Sequence, residues 1–300
     1  MIRVAWNEQY AHPLPENHRF PMEKYQLVPE QLEHEGTVES EAFFSPEPLT
    51  DAQILSVHDA HYWQRLKGLE LNRQEERRTG FPHSNALIDR EVMIMGGTLQ
   101  CARYAMEHGV ALNVAGGTHH AYADRGEGFC LLNDLALAAQ ILIDEGVIER
   151  ALVVDLDVHQ GNGTAKIFEG RSEVFTFSMH GASNYPMHKE SSDLDVPLDD
   201  GTNDRTYLKL LREQLPQVMD QSEPDLVLYQ CGVDILETDK LGRLGVTEAG
   251  CRERDRIVFD ACFRNDVPVV CAMGGGYSPE IWNIVEAHCH TFRLAAEFWG

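Results

Sequence analysis

Three polar side chains follow a predicted buried strand in the segment 151–163. Residues 151–154 are apolar, as in a strand of a parallel sheet, and Asp155, Asp157 and His159 then occupy every second position. Because alternate side chains of an extended chain point to the same side, two carboxylates and an imidazole should converge where the strand ends. Ligands bind at that end of open α/β sheets, and this set suits a divalent metal such as zinc. The alternative is a buried Asp–His pair that caps the next helix.

Other unusual polar residues also come directly after predicted strands. The strand 111–115 leads through two glycines to His119 and His120, and Asp234 follows another apolar strand. The strand 267–273 ends in three glycines and a tyrosine. A histidine pair on the surface would account for the first motif alone. The shared position of all these groups at strand ends favours an active site.

The strands that carry these residues alternate with helices along the chain. Apolar stretches predict strands at residues 2–6, 111–115, 151–154, 225–230 and 267–273, and an alternating pattern predicts one at 173–179. Periodicity and capping residues predict helices at 22–35, 50–67, 89–108, 131–146, 164–169, 204–219, 247–264 and 279–299. The segments 7–22, 73–80 and 181–201 are predicted to be loops. The alternation predicts an α/β fold with a parallel, doubly wound sheet, and we expect one domain over residues 1–300.

Composition narrows the class of protein. The chain has 300 residues, of which 43% are hydrophobic, and a formal net charge of −23. Such a charge argues against binding to nucleic acid or to an anionic membrane, and it is compatible with a cationic substrate or with a simple need for solubility. The seven cysteines form no Cys-x-x-Cys pair, which predicts a reducing cytoplasm and no disulfide framework. The sequence has no apolar run long enough to span a membrane, and the start of the chain does not resemble a signal peptide.

The polar motifs together resemble the zinc-dependent histone deacetylase family. They are His119-His120, Gly128-Phe129-Cys130, Asp155-Leu-Asp-Val-His159, Cys231-Gly-Val-Asp234 and Gly274-Gly-Gly-Tyr277. Their order is that of the family, and they extend over almost the whole chain. The sequence looks most like the class IV branch and its bacterial relatives, because other branches usually carry His and Asp where this chain has Gln160 and Asn162. The resemblance implies the arginase/deacetylase fold, a single domain with a central, mostly parallel eight-stranded sheet flanked by helices.

The resemblance also implies a catalytic metal centre. Its ligands would be Asp157, His159 and Asp234. Zinc at this site would polarise an amide carbonyl and lower the pKa of a water molecule, and iron(II) is compatible with the same ligands. His120 would be the main general base and acid, with His119 as an electrostatic partner that Asp155 orients. Tyr277 would donate a hydrogen bond to the oxyanion.

Further residues acquire implied roles from the same resemblance. The residues implied for a narrow substrate tunnel are Gly128, Phe129, Tyr185 and Gly275. The residues implied for a structural monovalent cation, potassium, are Asp155, Ser178 and the backbone of Asp157, His159 and Met179. Arg19 is assigned to an internal channel. Asn162 would orient the ring of His120, and the alternative is that Asn162 only caps the helix that begins near Thr164.

The expected reaction is hydrolysis of an amide. A metal-dependent deacetylase would remove an acetyl or longer acyl group from an N-acyl-lysine peptide or protein, or from a similar N-acyl amine. The alternatives are an acetylpolyamine deacetylase and a non-catalytic protein that binds acyl ligands. An arginase-like ureohydrolase is disfavoured, because Gln160 and Asn162 stand where carboxylates for two manganese ions would help. The sequence leaves the acyl length, the carrier of the amine and the oligomeric state open.

Overall fold

One eight-stranded sheet forms the centre of the protein in the computed structural model, which describes residues 2–16 and 18–300. Strands β1 to β8 span Arg3–Ala5, Phe43–Phe44, Val110–Asn113, Ala151–Asp155, Val174–Gly181, Leu194–Leu198, Leu226–Gln230 and Val269–Ala272. Their order across the sheet is β2-β1-β3-β8-β7-β4-β5-β6, and all neighbouring strands are parallel. The expected parallel α/β architecture with eight strands is confirmed.

Helices flank the sheet and cover its apolar side chains. Helices α1 to α10 span Lys24–His34, Asp51–Ile54, Ala60–Lys67, Arg73–Thr79, Asn85–His108, Asp134–Asp144, Asn162–Ile167, Asp204–Ser222, Glu248–Arg264 and Ile281–Trp299. Helix α5 packs on β1, β3 and β8, whereas α8 packs on β4 and β5. Every residue of β3, β4, β7 and β8 is buried, as expected for parallel strands that are covered on both faces.

The prediction of a loop at 73–80 was wrong, because this segment forms α4. The side chain of Asn72 accepts hydrogen bonds from the backbone of Gln74 and Glu75, and Glu75 accepts one from the backbone of Asn72 at 2.8 Å. This capping box satisfies N–H groups that the first helical turn leaves free. Gly80 ends the helix in the left-handed conformation, with φ of 81°. The charged composition therefore concealed a helix with well-defined ends.

Two other predicted segments differ in detail. The predicted helix 50–67 is divided into α2 and α3, because Asp59 caps a new helix by accepting from the backbone N–H of His61 at 2.8 Å and Tyr62 at 3.0 Å. The predicted loop 181–201 contains β6. This strand lies at the edge of the sheet, where Pro197 is tolerated because one side of the strand needs no partner.

The four central strands bring the polar motifs together. Strands β8 and β7 lie between β3 and β4 in the sheet, although they come later in the chain. The loops that follow these four parallel strands therefore meet at one edge of the sheet. Below these loops, the fully buried Arg254 donates to the carbonyls of Cys231 at 3.1 Å and Gly232 at 2.5 Å and pairs with Asp255 at 2.8 Å. Arg254 thereby fixes the backbone that leads to Asp234.

Two other sequence expectations concern the cysteines and membrane spans. All seven cysteines are free and buried. In the part of the chain that the structure describes, none of the helices combines the length and the apolar character that crossing a membrane requires.

Candidate active site

Asp157, His159 and Asp234 converge at the carboxyl edge of the sheet. One potential ligand atom from each of the three lies within 4.8 Å of the others. The Nδ1 atom of His159 is 3.0 Å from Oδ1 of Asp157 and 3.1 Å from Oδ2 of Asp234. Gly275 lies against this group, since a methyl group on it would come within 2.1 Å of Oδ2 of Asp234. The loop after β8 can therefore approach the carboxylates only with glycine at this position.

The electrostatics of these three residues fit a divalent cation. Asp157 and Asp234 are 1% and 0% exposed, so two carboxylates are buried side by side. Burial and the neighbouring charge of Asp157 raise the pKa of Asp234 to about 7. Burial opposes a charge on His159, but its hydrogen bonds to the two carboxylates raise its pKa to about 10. The two carboxylates thus stabilise a proton on the imidazole of His159, and a bound metal would take the place of that proton. The oxygen and nitrogen donors of the three residues suit zinc or iron(II).

His119 is paired with a carboxylate. It is buried, and its Nδ1 atom donates to Oδ2 of Asp155 at 2.6 Å. Burial opposes protonation of this ring, but the charges of Asp155 and Asp157 raise the pKa of His119 to about 9. The backbone N–H of Asp157 also donates to Asp155, at 3.2 Å, which holds the carboxylate in place. His119 is therefore a protonated, oriented group, and the alternative of a surface histidine pair is contradicted by its burial.

His120 is paired with an amide instead. Its Nδ1 atom donates to Oδ1 of Asn162 at 2.7 Å. The Nδ2 atom of Asn162 donates to Oε1 of Glu127 at 2.7 Å and to the hydroxyl of Tyr122 at 3.0 Å. These two acceptors fix the orientation of the amide, so its oxygen must face His120. Burial and the positive charge of His119 hold the pKa of His120 well below its usual value, which leaves its Nε2 atom free to accept a proton.

The alternative role for Asn162, as a helix cap, does not agree with the structure. Asn162 is the first residue of α7, and the capping position is Gly161, which offers no side chain. The side chain of Asn162 makes its contacts with His120, Tyr122 and Glu127. Its contact with His120 is therefore a structural fact, whereas its effect on catalysis stays a prediction.

Tyr277 follows the three glycines after β8 and lies beside the predicted metal ligands. Its backbone N–H donates to Asp239 at 2.6 Å, and its ring packs against Phe20 and Phe129. Below this loop, the buried Nζ atom of Lys24 donates to the carbonyl of Gly274 at 2.7 Å. Burial and the charges of the nearby carboxylates hold the pKa of Tyr277 well above its usual value. Its hydroxyl therefore stays protonated and able to donate.

A narrow cavity with aromatic walls leads to this group from the surface. The outer cavity has a volume of about 340 Å³ and is lined by Arg19, Arg78, His120, Gly128, Phe129, His159, Tyr185, Leu241 and Tyr277. A smaller cavity of about 40 Å³ continues below it beside Asp157 and includes Gly275. The two cavities share several lining residues, among them Gly128 and Phe129; Tyr185 lines only the outer cavity and Gly275 only the inner one, so a tunnel formed by the four predicted residues stays a prediction. Gly128 and Phe129 both adopt positive φ, at 58° and 67°, so the wall depends on a strained turn.

Arg19 differs from its expected place in an internal channel. It is exposed, and its guanidinium lies over the ring of Phe129 at 4.9 Å, where it lines the outer cavity. Arg78, in the last turn of α4, lines the same cavity. Two arginines therefore border the opening of the outer cavity, and neither was predicted to lie there.

The residues predicted for a monovalent cation are also close together. Asp155 and Ser178 are direct neighbours in the pairing of β4 with β5. The hydroxyl of Ser178 lies 2.9 Å from Nδ1 of His180, and both residues are buried. This placement is compatible with the predicted cation site, which stays a prediction.

Three further residues at the site were not predicted to belong there. Lys24 lies in α1, far along the chain from every motif, and only the fold brings it below Gly274. Asp239 accepts three backbone hydrogen bonds, from Leu241, Gly242 and Tyr277. Glu127 precedes the predicted tunnel residue Gly128, and this position next to a motif is the one signal that could have identified it.

The chain is similar in sequence and in fold to known proteins. The sequence of residues 18–292 matches the family model of the histone deacetylase domain. The chain is 41% identical over 296 residues to an uncharacterised protein of Picosynechococcus sp., covering 99% of each. It is 32% identical over 269 residues to histone deacetylase 2 of Arabidopsis thaliana, covering 87% of this chain and 70% of that relative. The crystal structure of an HDAC homolog from Aquifex aeolicus matches with a TM-score of 0.84 at 23% identity, covering 97% of this chain and 82% of that one.

These similarities in sequence and in fold identify the family of the protein. The chain belongs to the histone deacetylase family and has the arginase/deacetylase fold. Membership places it among deacetylases, which are hydrolases that remove acyl groups. The similarity to the Aquifex aeolicus structure bears on the fold alone.

Proposed function

We propose that the protein is a metal-dependent deacetylase that hydrolyses the amide of an N-acyl-lysine or a similar N-acyl amine. The observation that supports this most is a convergence at the base of one aromatic cavity. Asp157, His159 and Asp234 meet there with the hydrogen-bonded pairs His119–Asp155 and His120–Asn162. Either of these hydrogen-bonded pairs alone would be compatible with a structural role. Their position around a path from the surface favours catalysis. We propose that residues 1–300 act as a single catalytic domain.

The proposed ligands of the catalytic metal are Asp157, His159 and Asp234. A structural potassium ion is proposed to bind at Asp155 and Ser178. Bound zinc, or iron(II), would polarise the acyl carbonyl and lower the pKa of the attacking water. The Nε2 atom of His120 accepts the proton of this water, because Asn162 already occupies Nδ1. Water adds its oxygen to the acyl carbon, and the carbon–nitrogen bond then breaks. The products are a carboxylate and a free amine, which takes up the proton.

The other residues act by charge and by orientation. His119, protonated against Asp155, supplies a fixed positive charge at the base of the cavity. Tyr277 donates its hydroxyl hydrogen to the oxyanion of the tetrahedral intermediate. Gly128, Phe129 and Tyr185 enclose the alkyl stem of the amine, since aromatic side chains around a narrow path favour a slim apolar chain. Closed walls also keep bulk water away from the reacting carbonyl.

A turnover assay tests this proposal. Purified protein would be incubated with Nε-acyl-lysine peptides and with acetylpolyamines that differ in acyl length, and release of the free carboxylate would be measured. We expect turnover that a chelator abolishes and that added zinc or iron(II) restores. Binding without turnover in metal-loaded protein would favour the acyl-binding alternative, and a preference for polyamines would favour the polyamine deacetylase.

A further inference from the structure

The opening of the cavity has a charge opposite to that of the whole chain. We define the tunnel mouth as the outer ring formed by Arg19, Arg78, Phe129, Tyr185, Leu241 and Tyr277. The chain as a whole carries 48 acidic and 25 basic side chains, excluding histidine. The nine residues that line the outer cavity, all within the described part of the chain, include two arginines and no carboxylate. The residues that line the mouth thus carry a net positive charge on a strongly anionic protein.

Both arginines are attached to the same wall of the cavity. The carbonyl of Arg78 accepts a hydrogen bond from the backbone of Gly128 at 3.0 Å, so the end of α4 is joined to the turn that forms the wall. The guanidinium of Arg19 lies over Phe129, the next residue along that wall, at 4.9 Å. Their positions are therefore set by the wall itself, on the side from which a substrate must enter.

Neither guanidinium is neutralised by the protein. Within residues 2–16 and 18–300, no carboxylate oxygen is close enough to Arg19 or Arg78 to form an ion pair, for which the limit is 4.0 Å. Three nearby acidic residues have other partners, whereas Glu16 and Glu23 line a neighbouring cavity together with Arg19 but do not come within ion-pair distance of it. Glu75 pairs with Arg65 at 2.5 Å, Glu127 accepts from Asn162 at 2.7 Å, and Asp239 accepts from the backbone of Tyr277 at 2.6 Å.

From this arrangement we infer that the protein prefers substrates whose amine carrier presents a carboxylate or phosphate at the tunnel mouth. The inference rests on the proposed function, because the acyl group must lie at the base of the cavity for the carrier to stand at the mouth. A guanidinium offers paired N–H donors that match the two oxygens of a carboxylate or phosphate. An acidic peptide around the acyl-lysine fits this requirement, whereas a polyamine or a basic peptide brings like charges to the arginines.

Two local effects also contribute to the positions of the arginines. Arg78 complements the negative end of the α4 dipole, and Arg19 gains from its contact with the ring of Phe129. Each effect accounts for one cation but leaves both charges available to a ligand. A measurement of substrate preference separates these effects from recognition, because neither the dipole nor the ring contact depends on the charge of a peptide.

The test compares matched peptides and matched variants. Three peptides carry a central Nε-acetyl-lysine flanked on both sides by Glu, Gln or Lys, and kcat and KM are measured at low ionic strength with metal-loaded protein. We expect kcat/KM for the Glu-flanked peptide to exceed that for the Lys-flanked peptide about tenfold, mainly through KM, as expected for a few exposed ion pairs. In the double variant Arg19→Gln/Arg78→Gln, this ratio should fall to within about twofold of unity.

The control removes the same charge elsewhere. Arg77, also in the last turn of α4, and Arg205 on α8 are exposed and do not line the outer cavity. The double variant Arg77→Gln/Arg205→Gln should keep the preference of the parent protein. A second pair of substrates, free Nε-acetyl-lysine and its α-carboxamide, shows whether the amino acid's own carboxylate can supply the anion.

The outcomes are distinguishable. Turnover of all three peptides without a preference for Glu, or a preference that both double variants lose equally, would overturn this inference and leave the proposed function intact. No turnover of any peptide by metal-loaded protein would overturn the proposed function and this inference with it.

Discussion

The base of the cavity and the tunnel mouth use charge in opposite ways. At the base, Asp157, His159 and Asp234 are buried, and each makes hydrogen bonds to the others or to the backbone. At the mouth, Arg19 and Arg78 are exposed and unpaired within the described residues. A buried charge without its partner costs much more than an exposed one, because water cannot replace the lost interaction.

This difference teaches where large and small effects should arise. Changes at the base should act on chemistry by orders of magnitude, since the groups there are fixed and poorly solvated. Changes at the mouth should act on the choice of substrate by small factors, since water and ions screen exposed charges. On the proposed function, a fixed reaction centre and an adjustable specificity would lie a short distance apart.

The largest effect is expected from Asp234→Asn. The amide oxygen of this variant can still accept the hydrogen bond that Val158 now donates to Asp234 at 2.9 Å, so the backbone should stay in place. The loss of one carboxylate should remove the bound metal and with it all measurable turnover. Metal content is measured by mass spectrometry of the purified protein, together with its thermal unfolding temperature.

The matched control for this prediction is Asp220→Asn, which removes one exposed carboxylate on α8. This control should retain about one metal ion per chain and full turnover. If the Asp234→Asn protein kept its metal in full, Asp234 would have to be withdrawn as a ligand.

A smaller loss is expected from Tyr277→Phe. The change removes one hydroxyl and leaves the ring contacts with Phe20 and Phe129 in place. Loss of a single donor to an oxyanion lowers turnover roughly 10²- to 10³-fold. We expect kcat to fall by this factor with KM little changed, and Tyr104→Phe on α5 serves as a control away from the cavity. Near-normal kcat would remove the hydroxyl of Tyr277 from the mechanism.

The limits of sequence reasoning differ between the sheet and its surroundings. Six of the strands were predicted directly because they are apolar or alternating stretches between helices, and their order places the motifs together. The strand Phe43–Phe44 has two residues, and Leu194–Leu198 lies at the edge with a proline, so neither has a buried apolar pattern. These two strands were expected only through the resemblance. Helix α4 was missed because hydrophobic periodicity is absent from a segment rich in arginine and glutamate.

The site shows the same limit more sharply. Its polar motifs could be read from the sequence because they follow strands at regular spacing. Lys24, by contrast, reaches Gly274 across 250 positions of sequence, and no local pattern announces such a contact. The arginines of the mouth were also beyond reach, because one lies in a predicted loop and the other in a segment whose helix was not recognised. Long-range contacts made by single side chains depend on the packing of the whole fold.

His119 is paired with the carboxylate of Asp155, whereas His120 is paired with the neutral amide of Asn162, and this difference can be tested. Asn162→Asp would give His120 an anionic partner like that of His119, but the new carboxylate would face Glu127, whose Oε1 is 2.7 Å from Nδ2 of Asn162. Adding Glu127→Gln removes this repulsion and supplies an N–H to the new carboxylate. An anionic partner stabilises protonated His120, so its pKa rises and the neutral base is lost at higher pH.

The measurement is the pH dependence of kcat/KM. Relative to Glu127→Gln alone, the combined variant should show its acidic limb shifted to higher pH by about one unit, which is a tenfold loss at a fixed pH on that limb. Equal limbs in the two variants would mean that the ionisation of His120 does not limit the rate. The unfolding temperatures of both variants check that the fold is unchanged.

Salt should weaken recognition at the tunnel mouth while leaving the reaction at the base nearly unchanged. The screening length falls from about 10 Å at 0.1 M salt to about 3 Å at 1 M, so exposed attractions weaken while buried ones persist. The preference for a Glu-flanked over a Lys-flanked peptide should therefore decline from about tenfold towards unity as sodium chloride is raised at constant potassium. Over the same range, kcat for the Gln-flanked peptide should change less than about twofold, because the groups at the base are buried. A preference that survives 1 M salt unchanged would mean that shape, rather than charge at Arg19 and Arg78, selects the peptide.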